Sequence, residues 1–288
     1  MVSLDGTARH GCENMVAKLE RVLVRRPEEA ACGLWLDYGW RSAPDFEKLL
    51  QEHDAFCALL ESAGAEIVFG GSVPLGLDAI YTFDPAIVSR HGAVVLRPGK
   101  DLRLSEAATT ADDMAAAGIP VLARLEAPAT ADGGDTIWLD ERTLLVGRGY
   151  RTNAAGVAAL RTALPDVDVI EFDLPHFRGS GEVMHLLSLV SPVARDAAVA
   201  YLPLMPVRLV QLLEARGFRL VEVPDEEFET MGANVLALAP GVVLALDRNR
   251  ETRRRLERAG IEVLTYEGTE LSKGDGGPTC LTRPLLRG

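Results

Sequence analysis

Val242-Val243-Leu244-Ala245-Leu246 is a short, wholly apolar run. An Arg-rich helical stretch follows it, and Gly260-Ile261-Glu262-Val263-Leu264 then opens a second apolar run. Short apolar runs bounded by turn signals read as buried strands, and strand, helix, strand with short links is a βαβ unit. The same order recurs upstream. Ala197-Ala198-Val199-Ala200-Tyr201 leads through a helix to Gly217-Phe218-Arg219-Leu220-Val221. Leu144-Leu145-Val146-Gly147 leads to Val167-Asp168-Val169-Ile170, Ala93-Val94-Val95-Leu96 to Gly118-Ile119-Pro120-Val121-Leu122, and Arg21-Val22-Leu23-Val24 to Gly64-Ala65-Glu66-Ile67-Val68-Phe69. Four of the five copies place a Gly between helix and second strand. That is the position where a helix ends in a left-handed residue, which Gly adopts without strain. Five such units can lie in an open doubly wound sheet or close into a ring. A dinucleotide-binding sheet would carry GxGxxG after an early strand, and no such motif is present.

Composition narrows the function. The 288 residues are 48% hydrophobic and 25% charged, the balance of a globular chain with a full core. No apolar run reaches the roughly 18 residues of a membrane span. The start, Met1 to Thr7, has no basic segment followed by an apolar one, so a secretory leader is not expected. A net charge of −12 with no basic stripe argues against nucleic acid and suits a small cationic ligand. The cluster Arg248, Arg250, Arg253, Arg254 and Arg255 reads as the solvated face of a helix. Cys12, Cys32, Cys57 and Cys280 lie far apart with no CxxC pair, as expected of a cytoplasmic chain with free thiols. No HExxH, paired cysteines or calcium-loop spacing is present, so neither metal nor cofactor is expected.

In a ring of repeats, equivalent loops converge. The residues after each second strand are Asp78 with Asp84-Pro85, then Asp132-Gly133-Gly134-Asp135, Met184-His185, Gly232-Ala233-Asn234, and Asp275-Gly276-Gly277-Pro278-Thr279-Cys280. Each copy offers one polar or nucleophilic residue, giving the set Asp84, Asp132, His185, Asn234 and Cys280. A thiol, an imidazole and carboxylates are the parts of a cysteine-nucleophile enzyme. Taken singly, each has a plainer explanation: a buried thiol is usually a small hydrophobe, a histidine in an apolar run a core residue, and DGGD a tight turn. Recurrence in register raises the functional reading.

With Phe83-Asp84-Pro85, Leu96-Arg97-Pro98-Gly99, Arg151-Thr152-Asn153 and His185-Leu186 added in this order, the chain resembles the guanidino-modifying superfamily (penteins) from about Val22 to Leu281. Within it, bacterial dimethylarginine dimethylaminohydrolase is the nearest likeness. The resemblance implies an α/β fold: a five-bladed pseudo-symmetric propeller of ββαβ-type repeats, with residues 1–288 as one domain and the site on the axis. It implies that Cys280 attacks a guanidinium carbon and that His185 is the general acid and base. Asp132 and Asp84 would hold the guanidinium, Arg97 and Arg151 the substrate carboxylate, and Asp78 would sit near its amino group. Two departures stand out. Phe83 replaces the Glu that dimethylarginine dimethylaminohydrolases carry before the Asp, and Leu187 replaces a second guanidinium-binding Asp of arginine deiminases. Phe83 is therefore counted with the substrate-binding residues, as an apolar wall that favours an N-alkylated guanidine over arginine. The expected reaction is hydrolysis of a guanidino C–N bond to a ureido product such as citrulline plus an amine. The alternatives are an amidinotransferase and a non-catalytic binding member of the fold. Expected partners are a small cationic guanidino substrate, no nucleic acid and no membrane, with a homodimer left open. Asp37-Tyr38-Gly39-Trp40-Arg41 is a candidate lid.

Overall fold

The computed structural model describes residues 9–71, 76–182 and 184–288. The recurrent apolar runs become the middle and outer strands of five three-stranded sheets. In chain order the strands are β1 (Leu19–Val24), β2 (Glu66–Phe69), β3 (Ala86–Ser89), β4 (Gly92–Val95), β5 (Val121–Arg124), β6 (Thr136–Asp140), β7 (Thr143–Arg148), β8 (Asp168–Asp173), β9 (Val190–Ala194), β10 (Ala197–Ala200), β11 (Arg219–Glu222), β12 (Leu236–Ala239), β13 (Val242–Leu246), β14 (Glu262–Tyr266) and β15 (Arg283–Arg287). Four blades share one plan: an antiparallel hairpin, a helix, and a return strand parallel to the middle one. The remaining blade joins the two ends of the chain, because β15 pairs antiparallel with β1, and β1 pairs parallel with β2. The protein is a five-bladed pseudo-symmetric α/β propeller.

Burial explains the residue types. Middle strands β4 and β10 are buried along their whole length and contain only Gly, Ala and Val. A strand covered on both faces has no place for a charge. Return strands β2, β5 and β11 lie at sheet edges and are partly exposed. The blade helices are Phe46–Ser62, Glu106–Ala116, Ala154–Ala163, Val207–Ala215 and Arg250–Arg258. Gly64, Gly118, Gly217 and Gly260 follow four of them, with φ of 91°, 78°, 79° and 83°. The third helix instead starts on Asn153, whose side chain accepts from Gly156 N at 2.8 Å. Hydrophobic clusters fill the spaces between neighbouring blades, and Met15, from the segment ahead of β1, touches three of them. The last helix behaves as a solvated face: Arg253 pairs with Glu257, and Arg254, Arg255 and Arg258 gather on Glu251. Among the described residues, no helix is long and apolar enough to cross a membrane.

The candidate lid is docked. Tyr38 and Trp40 are buried, Tyr38 Oη donates to Leu102 O at 3.0 Å, Trp40 Nε1 donates to Asp78 Oδ1 at 2.8 Å, and Arg41 pairs with Asp275 at 2.6 Å.

Candidate active site

Each polar residue picked out by the repeat lies just ahead of the first strand of a blade: Asp84 before β3, Asp132 before β6, His185 before β9, Asn234 before β12 and Cys280 before β15. Propeller closure brings three of these loops into direct contact. Asp132 is fully buried; its Oδ1 accepts from Gly99 N at 2.8 Å and its Oδ2 from His185 Nε2 at 3.0 Å. The other imidazole nitrogen lies 3.9 Å from Asp84 Oδ1, which also accepts from Gly134 N at 2.9 Å. The glycines between Asp132 and Asp135 are required by this packing. A Cβ on Gly133 would stand 2.1 Å from Phe83 O, and one on Gly134 would stand 2.3 Å from His185 Nδ1.

The charges are organised around the imidazole. Burial opposes a charged His185, but Asp84, Asp135 and Asp132 outweigh it and hold its pKa up at about 9. Burial would likewise raise Asp84, yet the His185 and Arg103 cations pull it down to about 2. Asp135 is raised to about 7 by burial and by Asp132, against the pull of His185 and a hydrogen bond from Thr152. At neutral pH the imidazole is therefore a cation between two carboxylates, with its Nε2–H given to Asp132 and its Nδ1–H on the side of Asp84.

Cys280 is held by Asn234. Asn234 Nδ2 donates to its sulfur at 3.2 Å, while Asn234 Oδ1 accepts from Thr279 N at 3.1 Å. Gly277 is again obligatory, since a Cβ there would stand 2.5 Å from Asn234 Oδ1. Phe83 N donates to Cys280 O at 3.2 Å, tying the thiol loop to that of Asp84. Burial and the nearby Asp84 charge push the thiol up to about 11. Without a cation beside it, the sulfur is protonated at neutral pH.

The residues read as substrate contacts divide. Arg151 is buried, with Nη1 at 3.4 Å from Asp132 Oδ2. Asp78 is one step out, bound by Trp40 and by Lys100 Nζ at 2.6 Å. Arg97 is half-buried, and its side chain has no ionic or hydrogen-bonding partner among the described residues. The Phe83 ring faces neither acid: it packs among core residues under the Arg283 guanidinium, 3.7 Å from Cζ to the ring centre. Sequence reading missed Arg103. This buried guanidinium contacts Asp84 Oδ2 at 2.5 Å, Glu106 at 2.8 Å and Tyr81 O at 3.0 Å. It also missed Asp135, which accepts from Thr152 Oγ1 at 2.6 Å and from Leu186 N at 3.1 Å. The second acid of the DGGD turn was the available signal, because two buried acids in one turn need two sets of partners. Arg103 has only Glu106 as a local partner, and the contacts that tie it to the site, Asp84 and Tyr81 O, arrive from another loop.

Two cavities flank Met184, next to His185. One of about 60 Å³ is lined by Arg41, Asn234 and Asp275, and one of about 200 Å³ by Tyr150, Arg151 and His176. Donor atoms of Asp84, Asp132 and His185 lie within 4.8 Å of one another, a spacing that could hold a cation. Their chemistry argues against one. Each carboxylate already faces an arginine, and a charged imidazole has no lone pair to give.

The family model for arginine deiminase matches residues 201–287. A dimethylarginine dimethylaminohydrolase of Streptomyces coelicolor is 29% identical over 263 residues, 91% of this chain and 96% of that protein. An arginine deiminase of Listeria welshimeri is 34% identical over 208 residues, 59% of this chain, and the match spans half of that longer protein. The dimethylarginine dimethylaminohydrolase of Pseudomonas aeruginosa, solved with citrulline, superposes with a TM-score of 0.78 at 22% identity, over 94% of this chain and 100% of that one. In fold and sequence together the chain is similar to the guanidino-modifying pentein superfamily, and within it to dimethylarginine dimethylaminohydrolase.

Proposed function

We propose that this protein hydrolyses a guanidino C–N bond of an arginine derivative, with N-methylated arginine the favoured substrate, to a ureido product and an amine. The observation that carries this reading is the imidazolium of His185, held between Asp132 and Asp84 in the propeller that also presents Cys280. A guanidinium entering beside Asp84 brings the positive charge that the Cys280 thiol lacks. The thiol then gives its proton to solvent, and the sulfur attacks the guanidinium carbon. The C–N bond breaks, and His185 gives its Nδ1 or Nε2 proton to the departing amine. Now neutral, His185 takes a proton from water, whose oxygen attacks the thiouronium carbon. Collapse expels the sulfur, which takes the hydroxyl proton and re-forms the thiol, and leaves the ureido product. Asp132 and Asp84 accept guanidinium N–H bonds and fix the plane for attack. Asp78, Arg97 and Arg151 are the proposed holders of the amino acid end. The residues act within one domain, 1–288.

Acceptor supply supports the substituted substrate. Asp84 already accepts from Gly134 and Arg103, and Asp132 from Gly99, His185 and Arg151. Few lone pairs remain for the five N–H donors of plain arginine, and each donor buried unpaired costs about 1–3 kcal/mol. The matches to arginine deiminases favour unmodified arginine as a second reading. Ureido product is to be assayed from arginine, monomethylarginine and dimethylarginine with wild type and Cys280→Ser. The expected result is turnover of a methylated arginine that the variant abolishes. An equal or higher kcat/KM on arginine would overturn the substrate preference, and Cys280→Ser with wild-type activity would overturn the mechanism.

A further inference from the structure

The side chain of Asp135 does not serve its own turn. The DGGD turn is closed by Asp135 N donating to Asp132 O at 3.1 Å and by Thr136 Oγ1 donating to Gly133 O at 2.7 Å. The fully buried Asp135 carboxylate instead reaches two other segments. Its Oδ1 accepts from Leu186 N at 3.1 Å and its Oδ2 from Thr152 Oγ1 at 2.6 Å. Thr152, also fully buried, passes the contact on, because its Oγ1 accepts from Asp132 N at 3.1 Å. A hydroxyl has one hydrogen, and here it goes to Asp135, so both Asp135 oxygens act as acceptors. The strand behind leaves room for this acid. Gly147 stands in buried β7, and a Cβ there would lie 3.2 Å from Asp135 Oδ1 and 3.1 Å from Leu186 Cβ. No arginine or lysine pairs with Asp135 among the described residues. An interior carboxylate without such a partner is costly, and groups of this kind cluster at functional sites.

Three groups of the site depend on this one acid. Asp132 is bound through its own N–H, Arg151 is the residue before Thr152, and His185 is the residue before Leu186. The bond from His185 Nε2 to Asp132 Oδ2, at 3.0 Å, joins two of the segments that Asp135 holds. We infer that Asp135 is a positioning residue, which fixes the His185–Asp132 pair by holding Asp132 through Thr152 and His185 through Leu186. Its kinetic consequences rest on the guanidino reading above, whereas the placement of His185 is measurable without turnover.

Two substitutions separate charge from linkage. Asp135→Asn keeps the shape and removes the charge, and its one amide oxygen cannot accept from both Leu186 N and Thr152 Oγ1. Thr152→Val keeps the Asp135 charge but cuts the link to Asp132, and Thr152→Ser restores the hydroxyl. The readouts are proton NMR of the His185 Nε2–H held by Asp132, assigned by its loss in His185→Asn, and kcat and KM on monomethylarginine. The bound proton should be sharp in wild type and Thr152→Ser, and broadened by exchange in Asp135→Asn and Thr152→Val. Burial opposes the charge on His185 while Asp84 and Asp135 sustain it, so the imidazole should also titrate at lower pH in Asp135→Asn. Asp135→Asn and Thr152→Val should each lose about 100-fold in kcat with KM nearly unchanged, and Thr152→Ser should recover most of that loss. A role confined to folding would lower the melting temperature but leave the resonance and kcat of the folded protein as in wild type, and that result overturns the inference. A Thr152→Ser variant no better than Thr152→Val would assign the effect to packing and overturn it too. If wild type does not turn over monomethylarginine, the substrate reading fails and the resonance alone decides. If Asp135→Asn does not fold, the two Thr152 variants decide.

Discussion

Nε2 of His185 lies 3.0 Å from Oδ2 of Asp132, an acid that no solvent reaches. A charged imidazole here is as much a part of the fold as of the site. Its pKa is raised from 6.5 to about 9, so its contribution to stability is full below about pH 6.5 and is lost as pH rises through 9. Asp135, raised to about 7, acts in the same direction because the folded protein holds its proton longer than the unfolded chain does. Urea melts should show stability falling by on the order of 3 kcal/mol between pH 6.5 and 9.5. His185→Asn should flatten most of that slope, and an unchanged slope would remove the buried ion pair from the account.

Catalysis should depend on pH differently for free and bound enzyme. Free Cys280 titrates near 11 and His185 near 9, so below pH 9 the imidazole is already charged and only the thiolate is scarce. kcat/KM should rise about tenfold per pH unit up to about 9, then level off. A bound guanidinium supplies the cation that the thiol lacks, so kcat should reach its plateau at least one unit lower. Coincident profiles would mean that the thiol is activated before substrate arrives.

Gly134 is a steric test of the same imidazole. Its φ is ordinary, so Gly134→Ala strains no backbone, but the new Cβ would fall 2.3 Å from His185 Nδ1. His185 is held on its far side by Asp132 and must turn or shift. A displacement of this kind should lower kcat about 100-fold. Alkylation of Cys280 by a small electrophile should be unaffected, which separates a moved histidine from a disturbed thiol loop.

The sequence made the fold legible because the signals were local. Gly64, Gly118, Gly217 and Gly260 each mark a helix end by a requirement of one residue's φ, and the alternation of strand and helix is written in consecutive side chains. The set Asp84, Asp132, His185, Asn234 and Cys280 was legible because each occupies the same place in its repeat. Arg103 was not, since its value comes from Asp84, which lies 19 residues away and arrives through closure of the ring. Phe83 shows the opposite failure. Position beside Asp84 made it look like a pocket wall, but the two residues lie in a turn and its ring packs among core residues under Arg283. The segment Asp37 to Arg41 reads in sequence as a candidate lid, and in the structure Trp40 and Arg41 are bound to Asp78 and Asp275.

Arg103 connects the site to stability. It is buried and binds Asp84 and Glu106 together, so Arg103→Met would leave two interior carboxylates with no cation beside them. Removing one partner of a buried charge network costs about 3–5 kcal/mol. Arg103→Lys keeps the charge but cannot reach Asp84, Glu106 and Tyr81 O at once, and should cost roughly half as much. Both losses should shrink at low pH, where Glu106, which burial raises, takes up a proton more readily than an exposed acid. Chemical denaturation at pH 5 and pH 8 measures both effects.

Arg97 is the cleanest probe of where the substrate's carboxylate sits. Its side chain is half-buried with no partner among the described residues, so Arg97→Ala should change stability by no more than about 0.5 kcal/mol. Arg151 differs, because it already touches Asp132, and Arg151→Ala should lower both stability and kcat. If Arg97 receives the carboxylate, its loss should raise KM about 10- to 100-fold with kcat nearly unchanged, the signature of binding energy that is equal in ground and transition states. A guanidine lacking the carboxylate should then be turned over equally by Arg97→Ala and wild type. An unchanged KM on the amino acid would assign the carboxylate to Arg151 and Lys100 instead, the other cations bound to the acids Asp132 and Asp78.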